Sequence, residues 1–286
     1  MIPKNKNTLI KTRPEGIYRG LTRHIILVLL PIIFLNFTTI SLADKVLPDR
    51  DIPFQTGEKL TYKGTWGIIP AGELTLEVLP NETIKGIEAY HFVMITKTNA
   101  AVDLIYKIRD RQDSYVDAGM THSIFYKKKT ESKHPRDESI TFNWQKLEAT
   151  CTKFGKKKPP INILPGTFDL LALFYALRYQ NLKENSEIYI PLTDGSLNIE
   201  VRAIVGKRDM IEIEGKMYDT IEITPNMKML DKLDKNKVVK KSDHPQLKIW
   251  VTADEKKIPI RIRTKMGIIS FDFDLVTSPP LDNKKI

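Results

Sequence analysis

The chain has 286 residues, 41% of them apolar, and a formal charge of +10, so it can bury a sizeable core and disorder throughout is excluded. Residues 1–43 hold six bases (Lys4, Lys6, Lys11, Arg13, Arg19, Arg23) against one acid, Glu15, leaving thirty-nine bases, thirty-four acids and only +5 for the rest, which counts against a nucleic-acid partner. The single cysteine, Cys151, excludes an intramolecular disulfide scaffold.

The basic lead ends at Arg23 and is followed by "IILVLLPIIFL" and then "TTISLA". Ser41 and Ala43 stand at the small-residue spacing that a signal peptidase reads, so residues 1–43 are expected to be a signal peptide cut between Ala43 and Asp44, delivering the chain to the periplasm. An uncleaved anchor competes with this reading, but Pro31 interrupts an apolar run already shorter than the roughly 20 residues that span a bilayer. The expected organisation is a linker over 44–53, a single β-rich domain over 54–276 and a tail over 277–286.

From Phe54 onward, short alternating segments punctuated by turn residues indicate antiparallel β structure. In "KLTYKGTW", Leu60, Tyr62 and Trp66 share one face, and in "ELTLEV", Leu74, Leu76 and Val78 do. The stretch "GEKLTYKGTWGIIPAGELTLEV" therefore reads as a hairpin, with Gly57, Gly67 and Gly72 at its bends. Further strands are expected at "AYHFVMIT", "LIYKIRD", "HSIFYKKK", "SITFNWQ" and "LEATCTK", with turns at Asp117-Ala118-Gly119 and Lys156–Lys158. Cys151 alternates with Leu147 and Ala149 and reads as a small core hydrophobe.

"TFDLLALFYALRYQNL" breaks the period of two. Thr167 suits an N-cap, Asp169 the first turn and Arg178 the last, and the near absence of a polar face predicts a helix enclosed by protein. Strands resume at "EIYIPL", "LNIEVRAIV", "MIEIEG", "YDTIEITP", "LKIWVT", "IPIRIRT" and "IISFDFDLV", with an Asp194-Gly195 hairpin turn. Asn226 to Gln246, with six lysines against three acids, reads as a mobile loop. The fold class is all-β: one large curved antiparallel sheet around a single apolar helix.

Taken in order, "GEKLTYKGTWGIIPAGELTLEV", "YKIRDRQDSYVD", "FDLLALFYALR" and "IWVTADEKKIPIRIRTKMGIISFDFDL" resemble the bacterial exported family catalogued as domain of unknown function 3108, over roughly Phe54 to Val276. The resemblance implies an exported, envelope-associated, mostly β protein with no assigned activity. Its architecture is similar to the half-barrels or open barrels of lipoprotein-localisation carriers, which hold acyl chains against a concave apolar face. The lysine-rich Asn226 to Gln246 insert departs from that pattern. The family supplies no catalytic residues to carry over.

Local chemistry is sparse. His24, His91, His122, His134 and His244 show no ligand spacing, so neither a metal nor a cofactor is expected. Asp272 and Asp274 share a strand face and could form an acid pair, but a solvated outer face gives the same spacing. Arg109, Asp110, Arg111 and Asp113 read as a cross-strand ion-pair ladder. Lys127–Lys129 and Lys156–Lys158, with the Asn226 to Gln246 loop, could meet anionic surfaces such as lipid headgroups.

The expected function is a non-enzymatic binding module whose concave face, lined by Trp66, Phe142, Trp144, Phe174 and Trp250, accepts an apolar or lipid-bearing ligand, such as a lipid or a lipid-bearing protein. If Phe174 and Leu177 plug that interior, these aromatics are ordinary core. The alternatives are a structural or assembly partner of envelope proteins, which requires a filled core and an exposed patch, and a hydrolase using Asp272 and Asp274.

Overall fold

The computed structural model describes residues 51–132, 134–230, 246–266 and 269–277. The expected signal peptide, its cut at Ala43/Asp44, most of the linker, residues 231–245 and the tail after 277 lie outside the described residues.

Alternation builds the first half of the sheet from β1 (Lys59–Trp66), β2 (Ile69–Ile84), β3 (Ile87–Thr98), β4 (Ile108–Asp117), β5 (Ser123–Ser132), β6 (Arg136–Asn143), β7 (Glu148–Lys153), β8 (Lys156–Lys157) and β9 (Ile161–Asn162). A four-residue helix, α1 (Ala100–Asp103), interrupts β3 and β4, and the buried helix α2 (Ala172–Tyr179) follows β9. The second half comprises β10 (Glu187–Thr193), β11 (Asn198–Ile213), β12 (Lys216–Leu230), β13 (Gln246–Thr252), β14 (Pro259–Met266) and β15 (Ile269–Thr277).

The two halves are one antiparallel sheet, running from β10 through β15, across to β1, and on to β8, with β9 against β7. The seam is the β15–β1 pairing, which sets Lys63 opposite Asp274 and Trp66 opposite Phe271. The free edges approach one another. Asn198 Nδ2 on β11 donates to Asn162 O on β9 at 2.8 Å, and the β10–β11 turn packs so closely that a Cβ on Gly195 would lie 2.9 Å from Ile140 Cγ1. The sheet is thus curled almost into a barrel, as its right-handed twist favours.

Helix α2 fills the interior. Tyr175 lies flat on Phe92, with ring centroids 3.7 Å apart, and the Phe54 ring meets both edge-on. Leu171, Leu173 and Leu177 are buried with them, each worth about 1.5–3 kcal/mol of apolar transfer. The helix starts later than its sequence suggests. Phe168 is held extended by a parallel bridge to Leu192, so Thr167 donates to Leu164 O instead of capping. Asp169 takes that role from outside the helix, its Oδ1 accepting from the Leu171 and Ala172 amides at 2.9 and 3.0 Å.

Arg178 stands in the last turn as expected, and it is 1% exposed there, paired in the core with Glu58. Other boundaries also move. The Lys156–Lys158 turn is in fact a Phe154-Gly155 turn, both residues at positive φ, leaving Lys156 and Lys157 in β8. "LNIEVRAIV" and "MIEIEG" are one strand, β11, with a register shift between Val205 and Arg208. The loop assigned from Asn226 is strand as far as Leu230, because those residues complete the ladder opposite Asn198–Arg202.

Candidate functional site

Leu74, Leu76 and Val78 of β2 turn inward as the alternation requires, and so do Leu60 and Tyr62 of β1. Trp66 does not follow: the β1–β2 register shifts between Gly64 and Thr65, and Trp66 emerges at 41% exposure, stacked on Phe271. The five candidate ligand-binding aromatics do not converge. Phe142 is core and stacks on Trp144, whose Nε1 donates to Ser123 O at 3.0 Å. Phe174 is partly buried on α2, while Trp250 lies beneath the cations of Lys248 and Arg263, away from its buried strand neighbours Ile249 and Val251. Alternation identifies one face of one strand; it does not say which faces meet.

The carboxylate candidates are taken up by arginines. Asp272 and Asp274 stand directly opposite Arg263 and Arg261, each held by two hydrogen bonds of 2.6–2.9 Å. Asp110 pairs across the strands with Lys128 at 2.8 Å. Arg109 and Arg111 are not rungs of the expected ladder: Arg109 grips Asp103 of α1, and Arg111 turns along its own strand to Asp113. Burial pushes the Asp113 carboxyl up, but hydrogen bonds from His91 and Arg111 outweigh it and hold the group below its ordinary range. Burial also pushes the Cys151 thiol up. Among the described residues no group of three or more His, Cys, Asp or Glu side chains could hold a metal ion.

The feature that stands out is at the end of the sheet where β1 turns into β2 and β3 into β4. There Ile68 is 97% exposed, Leu104 88% and Ile105 83%, with Ile69 beside them and Trp66 and Tyr106 half exposed. "LIYKIRD" reads as a strand throughout, but β4 takes up only its Ile108–Asp110: Asn99 caps α1 by accepting from Val102 N, and Leu104–Lys107 form the turn and loop that follow. Three consecutive large apolar residues, after an Asn and outside any alternation, were the available signal.

This rim is held firmly. The Asn99 side chain and amide donate to Pro70 O and Ala71 O, tying α1 to the β1–β2 turn. The Ile105 and Tyr106 amides donate to Val102 O at 2.9 and 2.8 Å, and Arg109 clamps Asp103 and the carbonyls of Thr98 and Ile108. Gly72 permits the close approach of β2 to β3, since a Cβ there would lie 2.0 Å from Lys97 O. Beside the rim is an open cleft of about 490 Å³ walled by Lys97, Lys107, Arg109, Arg111, Lys129 and Glu131. Among the described residues no helix is long and apolar enough to cross a membrane.

Residues 61–276 match the model of a family described as "Protein of unknown function (DUF3108)". No curated protein matches the chain significantly. Among solved structures, a beta-barrel-like protein of domain of unknown function DUF1849 from Brucella abortus is similar, with a TM-score of 0.51 and 12% identity, covering 78% of this chain and 96% of that one. At that identity the likeness concerns the fold alone.

Proposed function

The chain belongs to the DUF3108 family of proteins of unknown function, and from that premise we propose that it is an exported, non-enzymatic envelope module that binds apolar or lipid-bearing material at one end of its curled sheet. The observation that carries this is the rigid rim of Ile68, Leu104 and Ile105, three large aliphatic side chains each more than four-fifths exposed. Burying them in a partner would release about 1.5–3 kcal/mol each, and the fixed base means little ordering is needed first. The binding surface differs from the concave wall expected from the sequence, because α2 occupies the interior that such a wall would need. The non-enzymatic reading is supported by the engagement of Asp272 and Asp274 with arginines and by the burial of Cys151.

Native mass spectrometry of protein recovered from its own envelope, followed by lipid extraction, tests the proposal. A co-purifying lipid or acylated polypeptide that is lost from Leu104→Asp/Ile105→Asp is the expected result. A stoichiometric, unacylated protein on the same rim would replace this reading with that of an assembly partner, which the filled interior also favours.

A further inference from the structure

Resting on the apolar-ligand reading above, we propose that the rim seats the protein on the surface of an anionic phospholipid bilayer, with Lys97, Lys107 and Lys129 over the headgroup phosphates. Three tiers of chemistry lie in the order that a bilayer presents them. Ile68, Leu104 and Ile105, at the turns themselves, are the most exposed, at 83–97%. Trp66 and Tyr106 follow at 41% and 43%, the amphipathic aromatics that favour the headgroup level. The lysines come next: Lys107 directly after Tyr106, Lys97 near the end of β3, and Lys129 opposite Arg111 on β5.

Charge identifies the surface. Arg109 and Arg111 in the cleft are neutralised by Asp103 and Asp113, and Asp110 by Lys128. Among the described residues, Lys97, Lys107 and Lys129 make no direct salt bridge, although Glu73 stands opposite Lys97 on the β2–β3 ladder and the Asp103 carboxyl, held low by Arg109, is lowered further by Lys107, while Glu131 is the remaining carboxylate on the cleft wall. The cleft thus keeps a cationic excess beside apolar tips. A protein groove would meet a flat or concave surface; exposed isolated aliphatics backed by ammonium groups without a direct salt bridge suit hydrocarbon below and phosphate above. At the opposite end of the sheet the β2–β3 turn carries Lys85 and Gly86 at its tip, with Ile87 beside them 42% exposed.

The test is co-sedimentation of the purified chain with vesicles of phosphatidylcholine alone, and with vesicles containing phosphatidylglycerol, over a range of salt. Parent and variants share the same N-terminal segment, so differences between them isolate the rim, and far-ultraviolet circular dichroism confirms that these exposed substitutions leave the fold intact. Each lysine near an anionic surface contributes about fivefold to partitioning, so Lys97→Gln/Lys107→Gln/Lys129→Gln should weaken binding to the anionic vesicles about 100-fold while leaving the neutral ones unchanged. Leu104→Asp/Ile105→Asp should abolish the vesicle binding attributable to the rim. Equal affinity for both vesicles, or a lysine variant that matches the parent, overturns the headgroup assignment and leaves the apolar-rim reading standing. Indifference of vesicle binding to Leu104→Asp/Ile105→Asp overturns the bilayer proposal, and the lipid-extraction result then decides whether the apolar-rim reading falls with it.

Discussion

Glu58→Ala should destabilise this protein far more than any substitution on its charged outer face, because it strands the Arg178 guanidinium inside the core. Arg178 is 1% exposed and Glu58 7%. The guanidinium donates to both carboxylate oxygens, at 2.5 and 3.0 Å, and also to the carbonyls of Pro53, at 2.7 Å, and Lys256, at 3.0 and 3.1 Å. It lies 5.6 Å from the centroid of Phe54 and 5.9 Å from that of Tyr175, so these rings cannot replace a lost countercharge with water. Removing one partner of such a pair costs about 3–5 kcal/mol, since the surviving charge keeps its desolvation penalty and loses its Coulomb compensation. At about 2–4 °C per kcal/mol for a unit of this size, the melting midpoint should fall by roughly 10 °C.

Replacing the pair as a unit, Glu58→Leu with Arg178→Met, removes the lone charge and should cost less than the two single changes summed. It still leaves the Pro53 and Lys256 carbonyls without their donor, at about 1–3 kcal/mol each where water cannot enter. Urea unfolding followed by tryptophan fluorescence completes the double-mutant cycle, with an expected coupling of at least about 2 kcal/mol. A loss below about 1 kcal/mol for Glu58→Ala is the signature of a solvated pair and would refute the reasoning.

Asp169 is buried beneath Ser114 and Ser123, and burial raises its carboxyl above the ordinary range despite four hydrogen bonds. Such a group stabilises the fold fully below the unfolded value of about 3.9 and loses that contribution as pH rises through its folded value, so Asp169→Asn should gain on the parent with rising pH. Urea midpoints whose separation stays constant from about pH 4 to about pH 8 would contradict this. Gly72→Ala should cost more than about 2 kcal/mol, because its Cβ would meet backbone at Lys97 O; Gly57→Ala, at φ +89° with nothing within 4 Å, should cost about 1 kcal/mol. Equal losses in thermal unfolding would mean that strand approach is not the constraint at Gly72. Asp272→Asn and Asp274→Asn should each shift stability by less than about 1 kcal/mol, as part-exposed cross-strand pairs do, and a drop above about 2 kcal/mol would place them in a buried network.

Much of the wall was legible because alternation is a local signal. Leu74, Leu76 and Val78 needed only their own strand to declare a face, and so did Ala149 and Cys151. What failed was whatever depends on a distant arrival. Arg178 sits in the last helical turn as its sequence suggests, but nothing local shows that Glu58, 120 residues earlier, is placed against it. Thr167 reads as a cap until Leu192 pulls Phe168 into an extended bridge. Trp66 reads as core until a register shift turns it out. The five aromatics failed as a site for the same reason: Phe142 and Trp144 meet because they share a strand end, whereas Trp250 reaches two cations on the other side of its own.

A sheet curled almost into a barrel, with its last strand paired to its first at an interior seam, leaves little freedom in where function can reside. The inner face is committed to α2, whose Tyr175 and Leu177 could not be withdrawn without opening the core. The outer face is occupied by satisfied pairs such as Arg261–Asp274 and Arg263–Asp272, which resist being borrowed by a ligand. The turns are under neither constraint, so their side chains are set by solubility unless something else selects them. Glycine and charge at Lys85-Gly86 meet that default, while Ile68, Leu104 and Ile105 oppose it at the other end. Folding gains nothing from those three exposed side chains, yet hydrogen bonds from Asn99 and Arg109 hold their turns in place. A fixed presentation of apolar groups that the fold does not need is the feature that the proposed lipid-bearing partner would account for by burying them.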